Sequence, residues 1–458
     1  MALELFDSKT QSLRTFKPLV SGHVEMYVCG PTVQSAPHLG HLRSALVYDI
    51  LRRWLVATDY TVTIVRNVTD VDDKVLVNAG TRDWREYAKE VEEMFNSAYH
   101  SLNILEPTHN PHATEHIDDM IRLVQKLIEQ GHAYQAQDGS ANVFFDTASW
   151  PNYGELTNQK LENMEGEVDA SHGRKSPHDF ALFKAHKSEE PITAAWETPW
   201  GLARPGWHIE CSAMAKHFLG ESFDIHGGGI DLRFPHHENE LAQSKAIGDR
   251  FANFWLHNAM VTISGNKMSK SLGNGVAVED LVAAGSWPAI RYWLSSAQYR
   301  SNLDYSETAI AEAESALTRI TGFLERATKH KIKLDLSALP NSFTAAMNSD
   351  LNVPLALGVL HESVRAGNQA IDQDDKEALA KHLAAVHAMV HVLGLDMATQ
   401  KPVLSEELTE QIENLIAKRN RAKAKKDFAT ADGIRLELEE RGVTLKDLPN
   451  ETIWSING

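Results

Sequence analysis

Two hydrophobic periods alternate in the first third of the chain. An apolar run at residues 24–28 ends at Gly30 and Pro31, which predicts a strand followed by a turn. Apolar positions spaced three and four residues apart predict a helix over 43–57. The β-branched run TVTIVR at 61–66 predicts a second strand. Strand, glycine turn, helix and strand in this order are typical of a parallel nucleotide-binding sheet.

The pattern changes twice further along the chain. A polar, turn-rich segment at 163–179 predicts a loop inside an insertion, and strand-like residues 223–225 before three glycines predict that the sheet resumes. From residue 306 onwards, apolar positions recur every three or four residues and predict a helical bundle. The predicted fold class is therefore α/β: a Rossmann-type parallel-sheet domain with an insertion, followed by an α-helical bundle and a small C-terminal domain.

Composition places the chain among soluble proteins with several domains. It has 458 residues, of which 43% are hydrophobic and 23% charged, and this length favours two to four domains. No apolar run approaches the roughly 20 residues of a membrane span, and the first 20 residues have no apolar signal-peptide core. We therefore expect a cytoplasmic protein without membrane contact.

The two cysteines, Cys29 and Cys211, leave three possibilities open. A single disulfide is opposed by a reducing cytoplasm. Both thiols could be small buried hydrophobes, as free cysteines often are. Their retention in such a cysteine-poor chain also suits a metal or catalytic site.

The net charge of −17 argues against nucleic-acid binding over the whole surface, because phosphate contacts need Lys and Arg. The segment 418–426, KRNRAKAKK, is the exception, with six basic residues and no acid. It predicts a local electropositive stripe, for which a solvated charged helix is the alternative. The basic residues are Lys418, Arg419, Arg421, Lys423, Lys425 and Lys426.

Residues 38–41, His-Leu-Gly-His, follow the first strand and lie at the start of the predicted helix. Gly40 allows a nucleotide to approach the backbone, and a helix N-terminus offers N–H groups to phosphate. His38 and His41 can donate to phosphate oxygens. A helix-start turn with surface histidines is the alternative for this motif alone.

Residues 267–271, Lys-Met-Ser-Lys-Ser, form a second basic motif. The ammonium groups of Lys267 and Lys270 can neutralise the β- and γ-phosphates as pyrophosphate leaves. Taken alone, the motif also fits a solvated loop. The two motifs in this order, about 230 residues apart, resemble the signature of class I aminoacyl-tRNA synthetases.

Four possible metal ligands come from three distant segments. If the stretch after Pro235 is helical, its histidine and glutamate four residues apart share a face. Two thiolates, one imidazole and one carboxylate suit Zn²⁺, but spacing alone does not bring them together, and His237 and Glu238 are rival ligands. The candidate set is Cys29, Cys211, His236 and Glu240.

Longer motifs resemble one family, the cysteinyl-tRNA synthetases, over nearly the whole chain. The matching segments are YVCGPTV at 27–33, RNVTDVDDK at 66–74, RPGWHIECSAM at 204–214, DIHGGGIDL at 224–232, FPHHENELAQS at 234–244, HNAMVTISGNKMSKSLGN at 257–274, KDFATADGIR at 426–435 and ETIW at 451–454. Two departures are Leu39, where the family has isoleucine in its HIGH motif, and Gln34, where many members carry an aromatic residue.

The resemblance implies ATP-dependent activation of L-cysteine to an adenylate and its transfer to the 3′ end of tRNA(Cys). It implies one Zn²⁺ per chain on the four candidate ligands, and Mg²⁺ with ATP. We expect the zinc to take the substrate thiol as a fifth ligand, with Glu240 as the adaptable partner. The residues expected to contact the phosphates of ATP are His38, Gly40, His41, Lys267 and Lys270. Those expected to contact the amino-acid substrate are Cys29, Gly30, Thr32, Thr69, Trp207 and Asp231. The basic stripe is expected to contact tRNA.

The implied organisation has five parts, and we expect a monomer. The Rossmann catalytic domain has two halves, at 1–120 and at 201–305, and the second half carries the KMSKS loop. The other three parts are a connective insertion at 121–200, the helical bundle at 306–400 and an anticodon-binding domain at 401–458.

Three alternatives remain. The chain could be the related cysteine ligase of mycothiol synthesis or a non-catalytic RNA-binding paralogue. The acids of TDVDDK, residues 69–74, could hold Mg²⁺, although helix capping is favoured.

Overall fold

The structure is a computed structural model that consists of two compact units, residues 1–394 and 395–458. The residues that it describes are 2–161, 173–263, 265–267, 278, 281, 285–330, 332, 339–398, 406–425, 427–440, 443–447 and 452–456. The predicted loop at 163–179 lies mostly outside them, as does the linker between the helices that end at residue 328 and begin at 341. The four predicted boundaries between the five segments stay predictions.

The strands of the described residues are distributed over most of the sequence. They are β1 (Glu4–Asp7), β2 (Ser12–Thr15), β3 (His23–Val28), β4 (Thr61–Arg66), β5 (Ala133–Gln135), β6 (Val143–Phe145), β7 (Phe180–Ala185), β8 (Trp196–Thr198), β9 (Gly201–Pro205), β10 (Ser222–Gly229), β11 (Phe251–Asn258), β12 (Val261–Ile263), β13 (Asn266–Lys267), β14 (Leu303–Tyr305), β15 (Val443–Asp447) and β16 (Thr452–Ile456).

Helices fill the intervals between the strands and dominate after residue 306. They are α1 (Leu39–Ala57), α2 (Asp73–Ala79), α3 (Trp84–Ser101), α4 (Ile117–Glu129), α5 (Trp207–Leu219), α6 (Glu238–Ala246), α7 (Trp287–Ser295), α8 (Glu307–Thr328), α9 (Asn341–Asn348), α10 (Val353–Asp372), α11 (Lys376–Val392), α12 (Glu406–Ala424) and α13 (Phe428–Glu440). None of them combines the length and the hydropathy that a membrane span requires within the described residues.

A parallel sheet with strand order β11-β10-β3-β4 forms the centre of the first unit. The predicted strands at 24–28 and 61–66 are confirmed, and the predicted helix at 43–57 begins earlier, at Leu39. It begins there because His38 caps it: the Gly40 N–H donates to Nδ1 of His38 at 3.1 Å. The carboxyl ends of all four strands therefore meet the N-terminus of α1 at one edge of the sheet.

The three glycines at 227–229 belong to β10 instead of following it. Tyr48 of α1 crosses this strand, accepting from the Gly228 N–H at 2.6 Å and donating to the Leu256 carbonyl at 2.7 Å. A Cβ at Gly227 would lie 2.2 Å from the Tyr48 ring. The strand lacks side chains here because the tyrosine occupies their space.

An antiparallel sheet of β5, β6, β7, β9 and β8 interrupts the parallel sheet between α4 and α5. This confirms the predicted insertion. Lys184 of β7 contacts Asp73 at 2.6 Å, and Arg204 of β9 also pairs with Asp73. The insertion is thus tied by charge to α2, which lies beside the parallel sheet.

Helices α8 to α11 form the predicted bundle around apolar stripes. The stripe on α8 is buried as its spacing predicted, and so is the stripe on α11 with Leu393 beyond it. Local hydrophobic periodicity was sufficient to predict these bundle helices because each has one buried face.

The second unit has its own small core of Ile412, Ile416 and Leu438, and β15 and β16 pair as an antiparallel hairpin.

Arg43, fully buried one turn beyond the start of α1, holds the main chain of a neighbouring segment. Its guanidinium donates to the carbonyls of Ala259, Met260, Gln298 and Ser301 at 2.6 to 3.3 Å. These carbonyls belong to the turns between β11 and β12 and before β14. Arg43 therefore joins α1 to the segment that leads into the KMSKS motif.

A buried ion pair joins α1 to α7. Asp49 accepts from Arg291 at 2.5 Å and from Arg53 at 2.9 Å, and Arg291 also donates to the Leu393 carbonyl at the end of the bundle. Burial opposes ionisation, but the charges of Arg291 and Arg53 outweigh it and lower the pKa of Asp49.

We expect Asp49→Asn to lower the free energy of unfolding of the first unit by about 3–5 kcal/mol at neutral pH, because it leaves a buried guanidinium without its counter-charge. Since the pKa of Asp49 is lowered by folding, its contribution is present above the unfolded pKa of about 3.9 and is lost as pH falls through the folded value. Urea unfolding at neutral and acidic pH measures this difference. Exposed Asp59→Asn is the control, and a difference that does not shrink on acidification would contradict the assignment.

Candidate active site and metal centre

A pocket of about 320 Å³ opens at the carboxyl edge of the parallel sheet, where ligands bind in open α/β sheets. It brings together residues from both halves of the sheet and from the N-terminus of α1. Most of the predicted substrate and phosphate contacts line it: Cys29, Gly30, Thr32, His38, Gly40, His41, Trp207 and Asp231. Sequence reasoning placed these residues in one site, and the structure shows that they share one pocket.

The four predicted metal ligands converge beside this pocket, and Cys29 is the one of them that lines it. Cys29 follows β3, Cys211 lies on α5, His236 lies in a turn of π-helix at 233–237, and Glu240 lies on α6. The sulfur atoms of the cysteines are 3.7 Å apart. Oε1 of Glu240 lies 3.5 Å from Sγ of Cys29 and 3.1 Å from Nε2 of His236. One ligand atom from each residue lies within 4.8 Å of the other three.

These separations fit donors around a single zinc ion. Zinc bonds of about 2.3 Å to sulfur and about 2.0–2.2 Å to nitrogen or oxygen place tetrahedral sulfurs about 3.8 Å apart and a nitrogen–oxygen pair about 3.4 Å apart. The observed 3.7 Å and 3.1 Å are close to those values. Two thiols, an imidazole and a carboxylate are also the donor types that zinc prefers.

Electrostatics around the four donors favour a cation. Burial is the main cause that raises the pKa of Cys29 well above its ordinary value, and Cys211 and Glu240 raise it further. Burial also raises the pKa of Cys211 and lowers the pKa of His236 well below its ordinary value. A bound dication would reverse the balance for the thiols, because a coordinating thiol is deprotonated.

The two rival ligands from the sequence differ in the structure. Glu238 points to the turn at 154–157, where it accepts from three backbone N–H groups and from the Thr157 hydroxyl, so its carboxylate is committed elsewhere. His237 stays close: its Nε2 is 3.3 Å from Sγ of Cys29, and its Nδ1 is 2.8 Å from His257. A second set of four donors therefore exists, in which His226 and His237 replace Cys211 and His236.

The carboxylate of Glu240 distinguishes the two sets. Its Oε1 faces Cys29 and His236, whereas its Oε2 accepts from Nε2 of His226 at 2.8 Å. Only the set with Cys211 supplies two sulfurs. It leaves His226 in the role of a partner that orients a metal-ligating carboxylate.

His236 is held in place from two sides. Its Nδ1 lies 3.0 Å from Nδ1 of His208, and the Trp207 ring stacks on it with centroids 4.2 Å apart. Burial lowers the pKa of His208 to about 3, so its ring is neutral. Nε2 of His236 faces Glu240 in the donor set, and a metal on that nitrogen would leave the proton on Nδ1, which would then donate to His208. The Trp207 side chain is 36% exposed, which places its other face in the pocket rather than in a core.

The two histidines of the HLGH motif stack with ring centroids 3.7 Å apart. Nδ1 of His41 accepts from the backbone N–H of His38 at 3.3 Å, and Nδ1 of His38 accepts from Gly40. Because each Nδ1 is an acceptor, the proton of the neutral ring lies on Nε2. The arrangement suits donation to an anionic ligand at the start of α1.

The remaining predicted residues lie around the pocket or outside the described part. Thr69 is buried and does not line the pocket; its hydroxyl donates to Glu210 at 2.8 Å. For Lys267 only the backbone is described, paired in β13 with β12, and Lys270 and Lys426 lie outside the described residues. On α12, Lys418, Arg421 and Lys423 are exposed, and so is Lys425 just beyond it, whereas Arg419 is buried.

The acids of TDVDDK have structural partners. Asp72 caps α2 through the Lys74 N–H at 2.9 Å, Asp70 accepts from the Thr114 backbone and hydroxyl, and Asp73 pairs with the insertion. These contacts favour the capping interpretation over a magnesium site.

Sequence reasoning missed several side chains that shape the site. Asn67 accepts from the Gly30 N–H at 2.9 Å and contacts Sγ of Cys211 at 3.6 Å. Buried His208 contacts His236, and buried His226 contacts Glu240. Buried His257 contacts His237, and buried Glu210 accepts from Thr69. The only signal for them was their position inside motifs that the sequence analysis had singled out for other residues.

Comparison with known families divides the chain into three matched regions. The family described as tRNA synthetases class I (C) catalytic domain matches residues 15–315, the DALR domain matches 342–398, and the cysteinyl-tRNA ligase anticodon binding domain matches 405–454.

Curated relatives are similar over their full length. The chain is 52% identical over 483 residues to the cysteine–tRNA ligase of Clavibacter sepedonicus, with 100% of both chains covered. It is 50% identical over 475 residues to the cysteine–tRNA ligase of Leifsonia xyli subsp. xyli, again with 100% of both covered.

Solved structures of class I synthetases share the fold. Mycobacterium tuberculosis methionyl-tRNA synthetase in complex with methionyl-adenylate aligns with a TM-score of 0.55 at 14% identity, covering 86% of this chain and 94% of that one. The ternary complex of Agrobacterium radiobacter K84 agnB2 LeuRS aligns with a TM-score of 0.58 at 13% identity, covering 85% and 86%. These likenesses confirm the predicted fold class.

We expect Gly30→Ala to weaken metal binding at the four-donor site by roughly 10- to 100-fold, because a Cβ there would lie 1.7 Å from the Asn67 carbonyl oxygen and would displace Cys29. Titration with Co²⁺, followed by its thiolate charge-transfer absorption, measures the affinity. The matched control is Gly358→Ala, since no neighbouring atom lies within 4 Å of a Cβ there. Equal affinity in both variants would show that Gly30 does not position Cys29.

Proposed function

Because the chain belongs to the cysteine–tRNA ligase family of class I aminoacyl-tRNA synthetases, we propose that it activates L-cysteine with ATP and transfers it to tRNA(Cys), with a zinc ion on Cys29, Cys211, His236 and Glu240 selecting the thiol. The observation that carries the zinc proposal is the convergence of these four donors beside the pocket, which Cys29 lines.

Cysteine and serine differ little in shape, so a pocket wall discriminates poorly between them. A zinc ion held by the four residues supplies a soft Lewis acid that binds a thiolate in preference to a hydroxyl. Trp207 and Asp231 line the pocket beside this centre, where they can contact the substrate's backbone groups. We propose Glu240 as the adaptable ligand, because its carboxylate keeps a second hydrogen bond to His226 while the first oxygen adjusts.

The activation step needs no protein nucleophile. The cysteine carboxylate attacks the α-phosphate of ATP, and pyrophosphate leaves. Mg²⁺ bound with ATP would neutralise part of the charge on the phosphates. His38 and His41 donate from Nε2 to phosphate oxygens near the N-terminus of α1, which is the role that their stacked, backbone-bound rings support. Lys267 and Lys270 stabilise the charge that develops on the leaving group. Positioning and electrostatics supply the rate.

Contact with tRNA is proposed for the basic stripe in the region that matches an anticodon-binding domain. Exposed Lys418, Arg421, Lys423 and Lys425 carry the proposal, since their ammonium and guanidinium groups can reach phosphates. Arg419 is buried and contributes instead to the packing of this unit. Lys426 stays part of the proposal from its place in the sequence.

Neither alternative function is favoured by the comparisons. A cysteine ligase of mycothiol synthesis would not need an anticodon-binding domain, and this chain matches one at residues 405–454. A non-catalytic paralogue would not need four converging donors, nor the HLGH histidines in the pocket that Cys29 lines.

Replacing Cys211 tests the selection of cysteine. We expect Cys211→Ser to lower zinc content by one equivalent per chain and to reduce the preference for cysteine over serine by roughly 100-fold, because a hydroxyl is a poor zinc ligand. Metal analysis and amino-acid-dependent ATP–pyrophosphate exchange measure the two effects, with neighbouring Ser212→Ala as the control. Full zinc content with unchanged preference would refute the assignment.

Replacing Lys270 tests the leaving-group role. We expect Lys270→Ala to reduce kcat for adenylate formation by roughly 100- to 1,000-fold while the KM for cysteine changes little, because the lost charge acts on the transition state. Pyrophosphate exchange at varied cysteine measures both parameters. Exposed Lys376→Ala in the bundle is the control, and a raised KM with an unchanged kcat would instead assign Lys270 to ground-state binding.

A further inference from the structure

A second cluster of metal-ligating side chains lies outside the active-site pocket. Nδ1 of His116 is 2.9 Å from Oδ2 of Asp119, and Nδ1 of His217 is 3.0 Å from the same oxygen. One ligand atom from each of the three residues lies within 4.8 Å of the other two. Two imidazoles thus approach a single carboxylate oxygen from different elements of the fold.

The fold holds these three side chains together. His116 ends a short 3-10 helix at Ala113–His116, Asp119 lies in the first turn of α4, and His217 lies in the last turn of α5. The two imidazole rings pack edge to face with centroids 4.8 Å apart, and the His116 ring also packs on Phe218. The rings are therefore oriented by packing as well as by the carboxylate.

We propose that His116, Asp119 and His217 form a second binding site for a divalent transition-metal ion, of which zinc is the best match. Two imidazoles and one carboxylate are a donor set that zinc uses when it keeps open positions for water. Metal bonds of about 2.0–2.2 Å place a nitrogen and an oxygen ligand about 3.0–3.4 Å apart. The observed 3.0 Å lies at the short end of this range, and the observed 2.9 Å lies just below it.

The charge and exposure of the cluster suit an ion that enters from solvent. His116 is buried, whereas the His217 side chain is 46% exposed. Partial burial opposes ionisation of Asp119, but hydrogen bonds from His116 and Arg122 and the charge of His217 outweigh it and lower the pKa of Asp119. Arg122 pairs with the other oxygen, Oδ1, and leaves Oδ2 to the imidazoles.

Such an ion would act on the fold rather than on the reaction. None of the three residues lines the active-site pocket. Helix α5 carries Cys211 in its first half and His217 in its last turn. Metal binding would fix the end of α5 to the start of α4, and it would stabilise the folded chain in proportion to its saturation.

Metal analysis of the intact protein, dialysed against a zinc-buffered solution, tests the proposal. We expect two zinc equivalents per chain in the wild type, one in His217→Ala and one in Asp119→Asn. Exposed His100→Ala on α3 is the matched control and should keep two. One equivalent in the wild type, or two in both His217→Ala and Asp119→Asn, would overturn the proposal and leave only hydrogen bonds between imidazoles and carboxylate.

Two further experiments examine this site separately from the site formed by Cys29, Cys211, His236 and Glu240. In the Co²⁺-loaded protein, His217→Ala should lose one cobalt equivalent and keep the thiolate charge-transfer band, whereas Cys211→Ser should lose the band and keep the second ion. Arg122→Gln should tighten binding at the second site a few-fold, because a nearby cation is removed. Loss of the thiolate band in His217→Ala, or weaker binding in Arg122→Gln, would count against the site.

Discussion

The burial of two thiols and a carboxylate around one point is the constraint on which the first unit depends. Glu240, Cys211 and Cys29 are at most 9% exposed, and burial raises the pKa of both thiols. Taking such groups out of water is unfavourable unless a positive charge joins them. A dication at this point would supply that charge and would also set the chemical selectivity of the pocket. Stability and specificity therefore have the same physical origin here.

The architecture around this point follows from the carboxyl ends of four parallel strands meeting at one edge. Cys29 follows β3, Asn67 and Thr69 follow β4, and the glycine-rich end of β10 gives way to the turn that carries His236. The Tyr48 ring packs against Gly227, where a side chain would clash with it. An ion pair between Asp73 and Lys184 joins α2 to the insertion. Gly30, Gly40 and Gly229 line the pocket, so a ligand can approach the backbone closely at these three positions.

Much of this was predictable from sequence, for identifiable reasons. The bundle helices each have one buried face, so local periodicity predicts them, and strands 24–28 and 61–66 are recognisable as short apolar or β-branched runs. Helix α1 was predicted from its apolar spacing, although most of its residues are buried. The convergence of Cys29 with Cys211 was not predictable from spacing, because 181 other residues separate them, and it rested on resemblance. His208 and His226 were missed because nothing in a linear pattern distinguishes an imidazole that orients a ligand from one that fills a core. The extension of β10 through Gly229 was missed because Tyr48 comes from a distant segment.

Arg43 binds four carbonyl oxygens and no side chain on the segments that it joins. Main-chain acceptors are present whatever amino acids occupy positions 259, 260, 298 and 301. Evolution can therefore vary the side chains of these turns without releasing them from α1. One guanidinium therefore links the helix that begins at the HLGH motif to the turns before β12 and β14. In recombination between homologues, the backbone path of these turns has to be preserved rather than their composition.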